Sequence, residues 1–97
     1  MTKCETAICQ LAVNVYGKTS QCTVCMEEMA ELTKELSKNL RGHDNAAHIA
    51  EEIADVEIML EQLKLMFSIR DEVTQQRTVK LQRLDNRISQ SLIHPKP

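Results

Sequence analysis

The chain has no tryptophan, one tyrosine and one phenylalanine in 97 residues. Its core must therefore be built from Leu, Ile, Val, Met and Ala, which fits packed helices better than a β-sandwich rich in aromatic and β-branched residues. Glycine and proline are nearly as scarce, with two of each, so the chain breaks are few and easily located. No apolar run reaches roughly eighteen residues, which excludes a hydrophobic transmembrane helix. The N-terminus has no charged-then-apolar signal pattern, and the expected location is the cytoplasm. An excess of one charge is also missing. Twelve basic against fourteen acidic side chains give a net charge of -2, without the basic surplus of a nucleic-acid-binding domain. Neither a membrane nor a nucleic acid is expected as a partner.

The length fits one small domain over residues 1–97. So short a chain buries a modest fraction of its surface, which makes self-association a natural way to enlarge the core. Four cysteines are present, Cys4, Cys9, Cys22 and Cys25. Cys22-x-x-Cys25 has the spacing of half a zinc site or a redox pair, but no second half accompanies it and no strand precedes it. Free thiols acting as small apolar side chains are expected.

Apolar spacing is helical throughout. Cys4, Ile8, Leu11 and Val15 form the stripe of a first helix over roughly 4–15, ended by Gly17. Thr19 or Ser20 can cap a second helix that runs to about Leu40, with Cys22, Cys25, Met29, Leu32, Leu36 and Leu40 in one sector. Arg41-Gly42 supplies its stop. Asp44 or Asn45 can cap a third helix over 45–67. This helix has a main stripe through Ile49, Ile53, Val56, Met59, Leu60, Leu63 and Met66, and a second apolar face at Ala54, Ile58 and Leu65. Such a helix belongs in the middle of a bundle or between subunits. Asp71 can cap a fourth helix reaching about Leu92, with a stripe of Val73, Leu81, Leu84, Ile88 and Leu92 that Arg77 interrupts. The tail 93–97, with its His94-Pro-Lys-Pro ending, is expected to fray. The predicted fold is all-α and four-helix bundle-like, with a central antiparallel hairpin.

Two acidic pairs, Glu28-x-x-Glu31 and Glu52-x-x-Asp55, are symmetric about the Arg41–Gly42 break. In an antiparallel hairpin they lie side by side, ~16–20 Å below the turn at the helical rise. Residues three apart point in similar directions, and helices packed 8–10 Å apart bring two such pairs to a common point. Four carboxylates so placed repel one another unless a cation joins them. Glu52 falls inside the main apolar stripe, where no Lys or Arg is placed to pair with it. Oxygen donors suit Mg²⁺ or Mn²⁺. Taken singly the acids could be solvated, and Lys34 could pair with Glu31.

Glu27 can serve as a base on an attacking water, with plain helix solvation as the alternative. Lys80, Arg83 and Arg87 on the fourth helix, or Lys34 and Lys38 on the second, could neutralise phosphates. A solvated basic face is the common alternative. His43 and His48 do not complete the Glu-x-x-His motif of a di-iron bundle, because Asn45 stands three residues before His48. Tyr16 and Phe67 are expected in the core, with base stacking as the alternative.

Glu27-Glu28-Met29-Ala30-Glu31, twenty residues, then Glu52-Ile53-Ala54-Asp55 resembles the E-E-x-x-E…E-x-x-D signature of the MazG-like nucleoside triphosphate pyrophosphohydrolases. These belong to the all-α NTP pyrophosphatase superfamily. The likeness covers roughly residues 10–90, including Ala-Glu-Leu-Thr-Lys-Glu-Leu and Ile-Ala-Glu-Glu-Ile-Ala-Asp-Val. It implies Mg²⁺ held by Glu28, Glu31, Glu52 and Asp55, and phosphate contacts from Lys80 and Arg83 on the last helix. It also implies hydrolysis of a (d)NTP to the monophosphate and pyrophosphate, a homodimer or homotetramer, and a house-cleaning role against noncanonical nucleotides. Beside the resemblance, Glu27 and Glu28 are the expected catalytic residues, and Lys38 is a further phosphate candidate. The competing readings are a non-catalytic helical module that binds nucleotide or protein, and a di-metal redox bundle.

Overall fold

A computed structural model describes residues 1–93, all helical apart from short connections. Helix α1 spans Lys3–Tyr16, α2 Lys18–Leu40, α3 Ala46–Phe67 and α4 Arg70–Ile93. The predicted all-α class and the four helices are present, and each boundary falls within about two residues of its expected place except the start of α2. Residues 94–97, most of the tail expected to fray, lie outside the described part, and Ile93 closes α4.

The helix ends differ from the sequence expectation in instructive ways. Thr2 caps α1 in a full capping box with Glu5, and the bond to Thr2 lowers the Glu5 pKa. Neither Thr19 nor Ser20 caps α2. A single residue, Gly17, ends α1 and starts α2, with φ 89° and ψ 159°, a conformation open essentially to glycine alone. At the other end of α2 the His43 and Gly42 amides donate to Lys38 O and Asn39 O. This is the Schellman pattern, with Gly42 at φ 96° in the position that favours glycine. Asn45 occupies the N-cap position of α3 but makes no capping bond. Asp71 lies inside the first turn of α4 rather than capping it.

Helices α2 and α3 form the central hairpin, α1 packs across both, and the backbone of α4 approaches α3 alone. Ser68, in the left-handed region at φ 53° and ψ 46°, ends α3, and α4 begins two residues later at Arg70. Its first residue is tied back by an Arg70 ion pair with buried Glu61, which also accepts from Thr6 Oγ1 at 3.4 Å and lies 3.9 Å from Lys64 Nζ. The Arg70 bond holds the Glu61 carboxyl below its ordinary pKa.

The core is thin. Its buried apolar side chains are Cys9, Cys25 and Met59, and the buried polar ones are Gln21, Asn45, Glu61 and Gln62. All four cysteines are free. Tyr16 and Phe67, expected inside, are exposed. Phe67 carries the Lys18 ammonium 4.2 Å above its ring, a cation–π contact. In the α4 stripe Val73 alone is half-buried, and Leu81, Leu84, Ile88 and Leu92 are exposed. The accessible surface is 7606 Å², against about 5,700 Å² for a folded monomer of this mass. The radius of gyration is 17.1 Å, against about 12.5 Å for a compact domain of this length.

A Cβ added at Gly17 or Gly42 would meet nothing within 4 Å, so substitution there tests backbone strain alone. Gly42→Ala is expected to cost about 1 kcal/mol in urea unfolding, and Gly17→Ala more, about 1–3 kcal/mol. Equal and negligible costs would contradict this account of both breaks.

Candidate metal centre

The α2–α3 hairpin brings Glu28, Glu52 and Asp55 together. Each offers a carboxylate oxygen, and these oxygens lie within 4.8 Å of one another. Glu28 and Glu52 are half-buried and Asp55 is exposed. The Oε2 of Glu52 is buried without a hydrogen-bond partner. Among the described residues no Lys, Arg or His forms an ion pair with any of the three.

The electrostatics follow from this crowding. Burial pushes the Glu28 carboxyl up, helped by the nearby Asp55, Glu52 and Glu31 carboxylates. Burial also pushes Glu52 up, followed by the charges of Asp55, Glu31, Glu35 and Glu51. Glu31 lies outside the three-residue group and is exposed, yet its charge reaches both glutamates. The pairing of Glu31 with Lys34 considered from sequence is not formed.

The other sequence candidates are placed as follows. Glu27 is exposed beside the group. Lys38 sits 3.5 Å from Glu35, two turns or more from the acid pair on the same helix. Lys80 and Arg83 are exposed on α4, which touches α3 alone, and Lys80 lines an open groove of about 680 Å³ with Val73, Leu81 and Leu84. His48 lies 3.8 Å from Glu51, and His43 is exposed.

Two polar contacts across the hairpin were not among the sequence expectations. The Gln21 amide donates to Gln62 Oε1 at 2.6 Å, both side chains being buried. The Asn45 amide donates to Glu35 O at 2.8 Å and to Glu35 Oε2 at 2.7 Å, while its own Oδ1 accepts from Asn39 at 3.2 Å. The Asn45 bond is the main cause of a lowered Glu35 pKa. Gln21 and Gln62 are symmetric about the same turn as the acids, which is the sequence signal of this pair.

The arrangement has the donor chemistry of a hard-cation site: an all-oxygen set from two helices, with one buried oxygen left unpaired. No protein-family model, curated protein or solved structure matches the chain, so motif spacing and this geometry carry the functional reading.

Raised carboxyl pKa values mean that the folded, metal-free protein binds protons more tightly than the unfolded chain. The stability linked to Glu28 and Glu52 is therefore present below the ordinary carboxylate range and lost as pH rises through their raised values. With chelator present, Glu52→Gln is expected to melt above the parent at pH 7, and the gap should narrow as pH falls to 4. A parent that melts higher at pH 7 would show that the three charges are not crowded.

Proposed function

We propose that the chain is a Mg²⁺-dependent nucleoside triphosphate pyrophosphohydrolase, with Mn²⁺ as a substitute, that converts a (d)NTP to the monophosphate and pyrophosphate as a homo-oligomer. The observation that carries this reading is the convergence of Glu28, Glu52 and Asp55 without a protein cation among them. The motif spacing, which resembles the MazG-like signature, supplies the reaction class. House-cleaning of noncanonical nucleotides is the role that this resemblance suggests.

Glu28, Glu52 and Asp55 are the side chains that would hold the cation, and Glu31 adds negative charge on the same side of α2. A divalent cation bound there supplies charge neutralisation at phosphate oxygens and acidifies water. Glu27, exposed next to Glu28, is suited to accept a proton from the attacking water. Glu52 is half-buried, with one oxygen out of water, and electrostatic interactions are stronger at such an oxygen than in bulk solvent.

The excess surface supports self-association. About 2,000 Å² per chain beyond that of a typical monomer of this mass is the scale of an obligate homodimer interface. An isolated amphipathic helix gains most of its stability from packing, and α4 has almost none of its own. Its basic side chains Arg77, Lys80, Arg83 and Arg87 complement the acidic α2–α3 face, so a neighbouring subunit's α4 is the natural source of phosphate-binding cations.

A triphosphate panel with pyrophosphate detection tests the reaction. Mg²⁺-dependent pyrophosphate release is expected, with turnover lost in Glu52→Gln while helical circular dichroism is kept. Orthophosphate as the direct product would reject the reaction, and nucleotide binding without hydrolysis would leave the non-catalytic module. In sedimentation, a species at least twice the 11.1 kDa chain mass is expected, driven toward monomer by Leu84→Glu with Ile88→Glu. A monomeric parent at micromolar concentration would contradict the assembly.

A further inference from the structure

The two buried amide bridges bracket the acid group with a regular spacing. Gln21 precedes Glu28 by seven residues on α2, and Gln62 follows Asp55 by seven on α3. On the other side, Glu35 follows Glu28 by seven, and Asn45 precedes Glu52 by seven. Seven residues are two helical turns, ~10.5 Å along the axis, and return to nearly the same face, within ~20°. Each bridge therefore lies on the same sides of α2 and α3 as the carboxylates, one above them and one below.

The amide residues of both bridges are buried. Gln21 and Gln62 are 6% and 3% exposed, and Asn45 is 7% exposed. The Asn45 amide uses both hydrogens on Glu35, one of them on a main-chain oxygen, so it grips the α2 backbone as well as a side chain. Its position at the start of α3 would ordinarily serve to cap that helix, yet the side chain reaches across the hairpin instead.

Between the bridges the hairpin seam is apolar: Cys25 and Met59 are buried and Leu32, Ile49 and Val56 half-buried, while Met29 and Ile53 are exposed and the carboxylates repel. An aliphatic seam tolerates sliding, because one Leu or Ile contact replaces another at small cost. A displaced buried amide instead leaves donors and acceptors unpaired and desolvated, which costs far more than a shifted apolar contact. Buried polar pairs of this kind fix register in helix pairs.

We infer that the Gln21–Gln62 and Asn45–Glu35 bridges are register pins, and that Gln21, Gln62 and Asn45 are positioning residues that keep Glu28, Glu52 and Asp55 converged in the absence of a cation. The consequence for cation affinity rests on the metal-centre reading above, whereas the consequence for register does not. The pins keep the acids from relieving their repulsion by sliding apart, so the centre is preorganised. Asn45 also ties Glu35, whose charge reaches Glu52, to its own side of the hairpin.

The test pairs a distance with an affinity. Ketone-bearing amino acids at exposed positions 33 and 50 carry spin labels without disturbing the cysteines, and electron–electron resonance reads the distance between α2 and α3. The near-isosteric Gln21→Met with Gln62→Met removes one pin while filling its space, and Asn45→Ala separately removes the other. The parent is expected to give one narrow distance. Each variant is expected to broaden it or add a population displaced by about 5 Å, one helical turn. Mn²⁺ affinity by isothermal titration is expected to fall tenfold or more, while the Gln-to-Met pair melts no lower than the parent.

An unchanged narrow distance in both variants would overturn the inference. So would unfolding of the Gln-to-Met pair, since it would make the bridge a source of stability rather than of register. A parent that fails to bind Mn²⁺ would instead overturn the metal-centre reading, while the distances would still decide the register.

Discussion

Like charges held close together on two helices are the constraint around which this molecule is organised. Glu28, Glu52 and Asp55 approach within 4.8 Å, and one Glu52 oxygen is buried without a partner. Repulsion of this kind drives helices apart or out of register unless other contacts oppose it. Those contacts are the Schellman turn at Lys38–His43, the Asn45 grip on Glu35 and the Gln21–Gln62 pair. The fold holds energy in unfavourable charge proximity, and a divalent cation is the simplest species that relieves it.

The rest of the chain explains how so small a domain bears that cost. Three buried apolar side chains cannot supply a core, and the polar groups that replace them give geometry more than stability. Glu61 joins α1, α3 and α4 through Thr6 and Arg70, which orients α4 without covering it. In the proposed assembly, contacts between chains would cover the outward-facing apolar stripe of α4 and supply the missing stabilisation. On this reading the hairpin carries the chemistry and α4 carries the assembly.

Much of the hairpin was legible because its signals are local and few. Arg41-Gly42 is the one break between two long apolar stripes, and the acids are symmetric about it, so their meeting follows from helical rise alone. Glu52 stood out as an acid inside a stripe. What was not legible depended on contacts rather than spacing. Asn45 reads as a cap because Asn at a helix start usually is one, and its use across the turn depends on how α2 ends. Gln21 reads as a polar position beside a stripe. The α4 periodicity correctly marks a helix but carries no information about whether its apolar face is covered by its own chain. Tyr16 and Phe67 were expected inside for their size, yet a core this thin has no place for them. Glu31 shares the motif spacing but is exposed and lies outside the group that its partner Glu28 joins.

The central claim is that the hairpin acids form one centre for a hard divalent cation. Paramagnetic broadening of amide resonances by substoichiometric Mn²⁺ tests it most directly. The account predicts that residues around Glu28, Glu52 and Asp55 broaden first and together, and that added Mg²⁺ reverses the effect. Broadening spread evenly over the acidic surface, or centred elsewhere, would contradict it.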